Sequence, residues 1–177
     1  MWPPHRAAYA QFVRRLVEMK PACKDSSKIR SMPQETAVLS YRAEFSSQEF
    51  ETISLGLVPQ EMEDKWFIYL EGTTLYLHRS WTGICVYEVE FQESGMKYTV
   101  HRALANRDQT QYQGSDDAYD AALLHFLISN LLLDKQVAFP VARGLSKEAP
   151  KGVFQHHISG TAYEEKTMET KPWWKFW

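Results

Sequence analysis

The run WFIYLEGTTLYLHRSWTGICVYEVEFQESGMKYTVHRA, from Trp66 to Ala103, decides the fold. Four stretches in it, Trp66–Leu70, Thr74–Arg79, Ile84–Phe91 and Met96–Ala103, are rich in aromatic and β-branched residues. Such side chains fit a pleated, half-buried surface. Between them stand Glu71-Gly72, Ser80–Gly83 and Glu93-Ser94-Gly95. Gaps this short, each with a glycine, join antiparallel neighbours, because a parallel pair needs a crossover of a dozen residues or more. The spacing predicts a four-stranded antiparallel meander.

Upstream, Leu39, Tyr41, Ala43 and Phe45 share one parity and Ser40, Arg42 and Glu44 the other, so Ala37–Phe45 reads as a half-buried fifth strand. Ser46-Ser47-Gln48-Glu49 then forms a capping box, in which hydroxyl and carboxylate satisfy each other's orphan amides. The short helix it opens buries Phe50, Ile53 and Leu57. Gly56 suits a left-handed cap, and Pro59 forbids continuation. Downstream, Asn106–Gly114 is a polar loop. Ser115-Asp116-Asp117 caps a long helix predicted over Asp116–Leu133, whose apolar rows lid one face of the sheet. Val153–Tyr163 is expected as a last strand or edge hairpin. Near the N-terminus, Pro3-Pro4 ahead of Tyr9, Phe12, Val13 and Leu16 predicts a helical arm, and the Ser- and Pro-containing residues 21–35 read as a linker.

The fold class expected is therefore α+β: an antiparallel meander sheet of four to six strands, one long helix on a face, and an N-terminal helical arm. The division expected is a helix and linker over 1–35, one domain over 36–163, and a polar, then Trp-rich, tail over 164–177. A length of 177 residues with 44% hydrophobic content supports one core and excludes general disorder. The net charge of −2 disfavours a nucleic-acid coat, although residues 1–30 carry seven Lys and Arg against two acids. Two distant cysteines, Cys23 and Cys85, build neither a disulfide framework nor a Cys-rich metal pattern, which points to a reduced, cytoplasmic setting. No run of 18 apolar residues is present.

Chemistry concentrates in Leu75–Gly83. Parity puts Leu75, Leu77 and Arg79 on one face and Tyr76, His78 and Ser80 on the other. Arg79 thus sits at the rim of an apolar face beside Trp81, where a guanidinium and an indole suit a planar or anionic ligand. A hairpin here places residues 64–66 opposite 79–81, which brings in Asp64. Two readings compete: a ligand site, or a structural Asp64–Arg79 ion pair with Trp81 in the core. His78, with His101 on a later strand, is a candidate proton carrier, but it has no nucleophile or metal partner in the sequence. Asn106 and Arg107, followed by Asp108, are candidate binding groups in a loop at the sheet end.

His156-His157 does not suit one zinc ion, since neighbours on a strand point to opposite faces. The phosphate-loop, dinucleotide, metalloprotease and nucleophile-elbow motifs are not found. No metal and no cofactor is expected. In the tail, Lys171-Pro172-Trp173-Trp174-Lys175-Phe176-Trp177, the aromatics Trp173, Trp174, Phe176 and Trp177 suit docking into a partner groove or folding back on the domain. Contact with a membrane surface would be weak.

The residues Met62-Glu63-Asp64-Lys65-Trp66-Phe67-Ile68-Tyr69, then Leu75–Gly83, then Val86-Tyr87, resemble a family of small bacterial domains of no established activity. The resemblance spans roughly residues 40–134. It implies a domain occurring alone or beside ADP-ribose-processing modules, and it transfers no catalytic residue. Two functions are therefore expected to compete. One is a non-enzymatic binding module that contacts a protein partner. The other is an enzyme or sensor for a nucleotide-like anion of ADP-ribose type, gripped at the Arg79/Trp81 end of the sheet.

Overall fold

A computed structural model describes residues 20–140. The helical arm, Val153–Tyr163, His156-His157 and the candidate docking residues of the tail lie outside the described residues. In chain order the elements are β1 (Thr36–Val38), β2 (Glu44–Ser46), α1 (Ser47–Ser54), β3 (Trp66–Glu71), β4 (Thr74–Arg79), β5 (Cys85–Ser94), β6 (Lys97–Asn106) and α2 (Asp117–Phe126). They form an α+β architecture built on an antiparallel sheet of six strands.

The meander β3-β4-β5-β6 is present in sequence order. Gly72 and Gly95 turn its outer hairpins at φ +62° and +63°, a conformation glycine adopts without a Cβ penalty. Both β1 and β2 pair with β6, one at each end: Thr36 opposes Asn106, and Phe45 opposes Tyr98. Between them the Leu39 amide donates to the Ala103 carbonyl, and the Val100 amide donates to that of Ala43. The expected strand Ala37–Phe45 is thus one edge run whose ladder is interrupted in its middle. Its alternation holds, with Leu39, Tyr41 and Phe45 buried and Ser40, Arg42 and Glu44 exposed.

One face of the sheet carries the main core. Trp66 and Ile68 of β3, Leu75 and Leu77 of β4, Tyr87, Val89 and Phe91 of β5 and Ala103 and Ala105 of β6 are sealed there. Each large apolar side chain buried this way contributes roughly 1.5–3 kcal/mol. A bulge between Leu77 and His78 sets Val86 as the extra residue of β5, so that Val86 and Tyr87 are both buried and Cys85 pairs with His78. The cover is helical. α1 opens with the capping box, Ser46 accepting from the Glu49 amide while the Glu49 carboxylate accepts from the Ser46 amide. Its Phe50 stacks on Tyr98 at 3.7 Å and meets Phe91 edge-on.

Asp116 caps α2, its carboxylate accepting from the Ala118 and Tyr119 amides. The expected single helix to Leu133 departs from α geometry: α2 ends at Phe126 and Leu127–Leu132 continues as a π-helix. The wider turn leaves Phe126, Leu127, Ile128, Ser129 and Asn130 all buried. Asn130 spends its amide on the returning chain, donating to the Val137 carbonyl and accepting from the Val137 amide.

Residues 20–35 hold little regular structure, yet they run as a strap against the second face. The Ala22 amide donates to Leu55, the Arg30 amide to Gly83, and Glu35 accepts from the Arg107 amide. Ala22 is buried with Phe67 and Tyr69 beneath it. Gly56 fixes where the strap crosses. Its φ is +65°, and a Cβ there would lie 2.3 Å from the Ile68 carbonyl oxygen and 2.9 Å from the Ala22 Cβ. Gly56→Ala is expected to cost about 2–4 kcal/mol in urea unfolding. Gly72→Ala, at a similar φ with open space around it, is expected to cost only about 1–2 kcal/mol.

Candidate functional site

Trp66 and Arg79 are direct cross-strand partners at the open end of the first hairpin. Both face the core side, and the guanidinium carbon lies 4.4 Å from the centre of the Trp66 ring. This is a cation–π pair set by strand register. Burial pushes the Arg79 pKa down, opposed by the nearby Tyr112, Tyr87 and Tyr119. An arginine nevertheless keeps its charge in a protein.

Asp64 does not pair with Arg79. Its carboxylate accepts from the Gln60 and Glu61 amides at 2.7 and 3.0 Å and so closes the turn before β3. Its backbone carbonyl accepts from the Ser80 hydroxyl at 2.6 Å. Trp81 is not in the core: it is 61% exposed, its indole N–H donates to the Met62 carbonyl, and the Lys65 ammonium lies 5.2 Å from the ring centre. Lys65, Arg79, Ser80, Trp81 and Gln111 together line an open depression of about 430 Å³. The structure therefore brings Arg79 and Trp81 to one site and leaves Asp64 as its scaffold. Lys65 and Gln111 join them. Lys65 was within reach of sequence reasoning, because the register that sets Trp66 against Arg79 sets Lys65 beside Ser80.

Asn106 and Arg107 hold the neighbouring loop. The Asn106 side chain donates to the Cys85 carbonyl and accepts from the Asp108 amide. The Arg107 guanidinium faces Asp117 and the fully buried Asp120, the latter at 2.7 Å. Asp120 also accepts from the Tyr87 and Tyr112 hydroxyls. Burial raises the pKa of Tyr87 and Tyr112, and the Asp120 charge adds to it, so both phenols stay protonated as donors. Asn106 also donates to the side-chain oxygen of Gln111, which lines the depression.

His78 lies on the opposite face, 2% exposed. Its Nδ1 is 2.9 Å from the Gly83 carbonyl oxygen. A carbonyl only accepts, so Nδ1 carries the proton. Burial lowers the His78 pKa, against the raising effect of this bond, which holds the ring neutral. His101 is exposed on β6, near Glu90, whose β4 partner is Thr74 at the other end of that strand from His78. The two histidines do not converge. Among the described residues no group of three or more His, Cys, Asp or Glu is arranged to hold a metal ion, and no helix is long and apolar enough to cross a membrane.

No family model, curated protein or solved structure matches this chain.

Two outcomes check this geometry. Arg107→Met strands the buried Asp120 carboxylate and is expected to cost about 3–5 kcal/mol in thermal unfolding. Asp117→Asn, which alters the exposed partner of Arg107, is expected to cost less than about 1 kcal/mol. The second concerns pH. The folded protein binds a proton at His78 less readily than the unfolded chain does, so stability drops as pH falls through about 6.5, the unfolded value. Urea unfolding at about pH 7.5 and about pH 5.5 is expected to show a smaller loss for His78→Phe than for wild type. An equal loss would remove His78 as its source.

Proposed function

We propose that this protein is a small non-enzymatic binding module whose contact surface is the Arg79/Trp81 end of the sheet, and that it recognises a planar anionic group of nucleotide type. The lining chemistry of the depression carries the reading. It combines two cations, Lys65 and Arg79, with the exposed indole of Trp81 and the polar groups of Ser80, Thr82 and Gln111. Guanidinium and ammonium attract phosphate or carboxylate, and an indole offers a face on which a base stacks. His78, the candidate proton carrier, is buried on the other face and does not reach the depression. The resemblance to small domains that occur alone or beside ADP-ribose-processing modules makes ADP-ribose the first ligand to try.

A thermal-shift series with ADP-ribose, ATP and a nucleoside tests the reading. At 100 times Kd a ligand adds about 2.7 kcal/mol, which raises Tm by about 2–4 °C per kcal/mol in a chain of this size. The phosphorylated ligands are expected to shift Tm and the nucleoside much less. Trp81→Ala and Arg79→Lys are each expected to weaken binding about tenfold or more. No shift with any nucleotide, or full affinity in both variants, would overturn it.

A further inference from the structure

The two edges of the sheet are treated differently. On the β3 edge, Leu57 exchanges both backbone hydrogen bonds with Ile68, at 2.8 and 2.9 Å, which blocks the middle of that strand. On the other edge, the Ser46 amide at the end of β2 is taken by the Glu49 carboxylate. β1 has no such cover. Glu35 accepts from the Arg107 amide and the Leu39 amide donates to Ala103, so residues 35, 37 and 39 turn their backbone groups toward β6. By alternation Thr36, Val38 and Ser40 turn theirs away from the sheet. Among the described residues none of these outward N–H and C=O groups has a hydrogen-bond partner.

The stretch is also open to solvent. Val38 is 61% exposed, and Ser40 is exposed beside it. Thr36-Ala37-Val38-Leu39-Ser40 carries neither the proline nor the charge with which sheets discourage edge pairing. Its length is limited instead. Between Val38 and Glu44 the run holds five residues against four on β6, and this bulge ends the straight part near Ser40. Exposed charges of opposite sign flank it, Glu35 before and Arg42 after.

We propose that this edge pairs antiparallel with the same edge of a second copy of the chain, about a twofold axis at Val38. Val38 then exchanges both backbone hydrogen bonds with the partner's Val38, and Thr36 faces the partner's Ser40. Leu104, which opposes Val38 on β6 and is half-buried, extends the two valines into an apolar stripe across the junction. The flanking charges select both the occupant and its direction. Antiparallel pairing brings Glu35 of each copy beside the partner's Arg42, once at each end of the junction. A parallel pairing sets like charge beside like. Five residues a side make a small interface, so the dimer is weak, with a Kd on the order of 100 µM. Strands β5 and β6 separate β1 from β4 and its Arg79, so the pairing is independent of the nucleotide reading.

The test is sedimentation equilibrium of the full chain from about 10 µM to about 1 mM, a decade either side of that Kd. The wild-type mass is expected to rise from monomer toward dimer. Val38→Lys sets two ammonium groups face to face at the axis, on a side chain already in solvent. It is expected to weaken the dimer about tenfold with Tm kept. Met96→Lys adds the same charge at another exposed position and is expected to leave the dimer unchanged. Glu35→Arg is expected to weaken association, and Glu35→Arg combined with Arg42→Glu to restore it. A wild-type chain that stays monomeric throughout overturns the proposal. Slow hydrogen exchange at the Val38 amide of that monomer then assigns the edge to another part of the chain, and fast exchange to a different protein. A dimer equally strong in Val38→Lys lies elsewhere on the surface and overturns it too. Failure of the double variant to restore association overturns the antiparallel register.

Discussion

A carboxylate with no exposure to solvent governs one end of this fold. Asp120 points from α2 into the apolar interior, where an unpaired charge is not tolerated. It is held by three groups from two places: Tyr87 on β5, and Tyr112 and Arg107 in the loop after β6. Meeting that demand determines how the loop folds and where the helix lands on the sheet. Of its two oxygens, Oδ1 takes both phenols, and Oδ2 faces Arg107 as an ion pair without hydrogen-bond alignment. Breaking such a pair is costly even where replacing it whole would not be. The knot therefore acts as a register pin more than as a source of net stability.

The same tyrosines reach toward Arg79, which ties the pin to the candidate site. Arg79 sits on Trp66, and its electrostatic neighbours are Tyr112, Tyr87 and Tyr119. The wall of the depression is thus rigid where it meets the core and exposed at Trp81. Strand alternation sends the next residue, His78, to the opposite face, under the strap. Two adjacent residues of β4 consequently face two environments. One carries a permanent charge at the rim of the core, and the other is a neutral ring among aromatics.

Much of the fold was legible because it rests on local pattern. The meander follows from glycine-bearing gaps between β-rich runs, the edge run from the parity of Leu39, Tyr41 and Phe45, and α1 from its capping box. The pairing of residues 64–66 with 79–81 was equally readable, since a two-residue turn sets the whole register. The partner of Arg79 was not. Asp64 has the right charge and the right neighbourhood, but local amides at Gln60 and Glu61 claim its carboxylate. Short-range capping costs less chain entropy than a cross-strand ion pair between long side chains. The π-helical end of α2 was also hidden, because Leu127–Leu132 is equally apolar under either ladder.

By itself the sequence determined the order of the meander β3 to β6, its turns and which side chains of β4 share a face, because those depend on near neighbours and on the twofold period of a strand. Only the tertiary structure decided that residues 20–35 form a strap, that Trp81 is exposed, and that Asp120 is sealed inside. Each of these depends on contacts between residues far apart in the chain or across a turn, where burial and hydrogen-bond satisfaction choose among partners of equal local merit. A polar stretch such as 20–35 carries no periodic signal of its own. It is ordered by the apolar surface of Phe67 and Tyr69 that it covers, and that surface exists only once the sheet has formed.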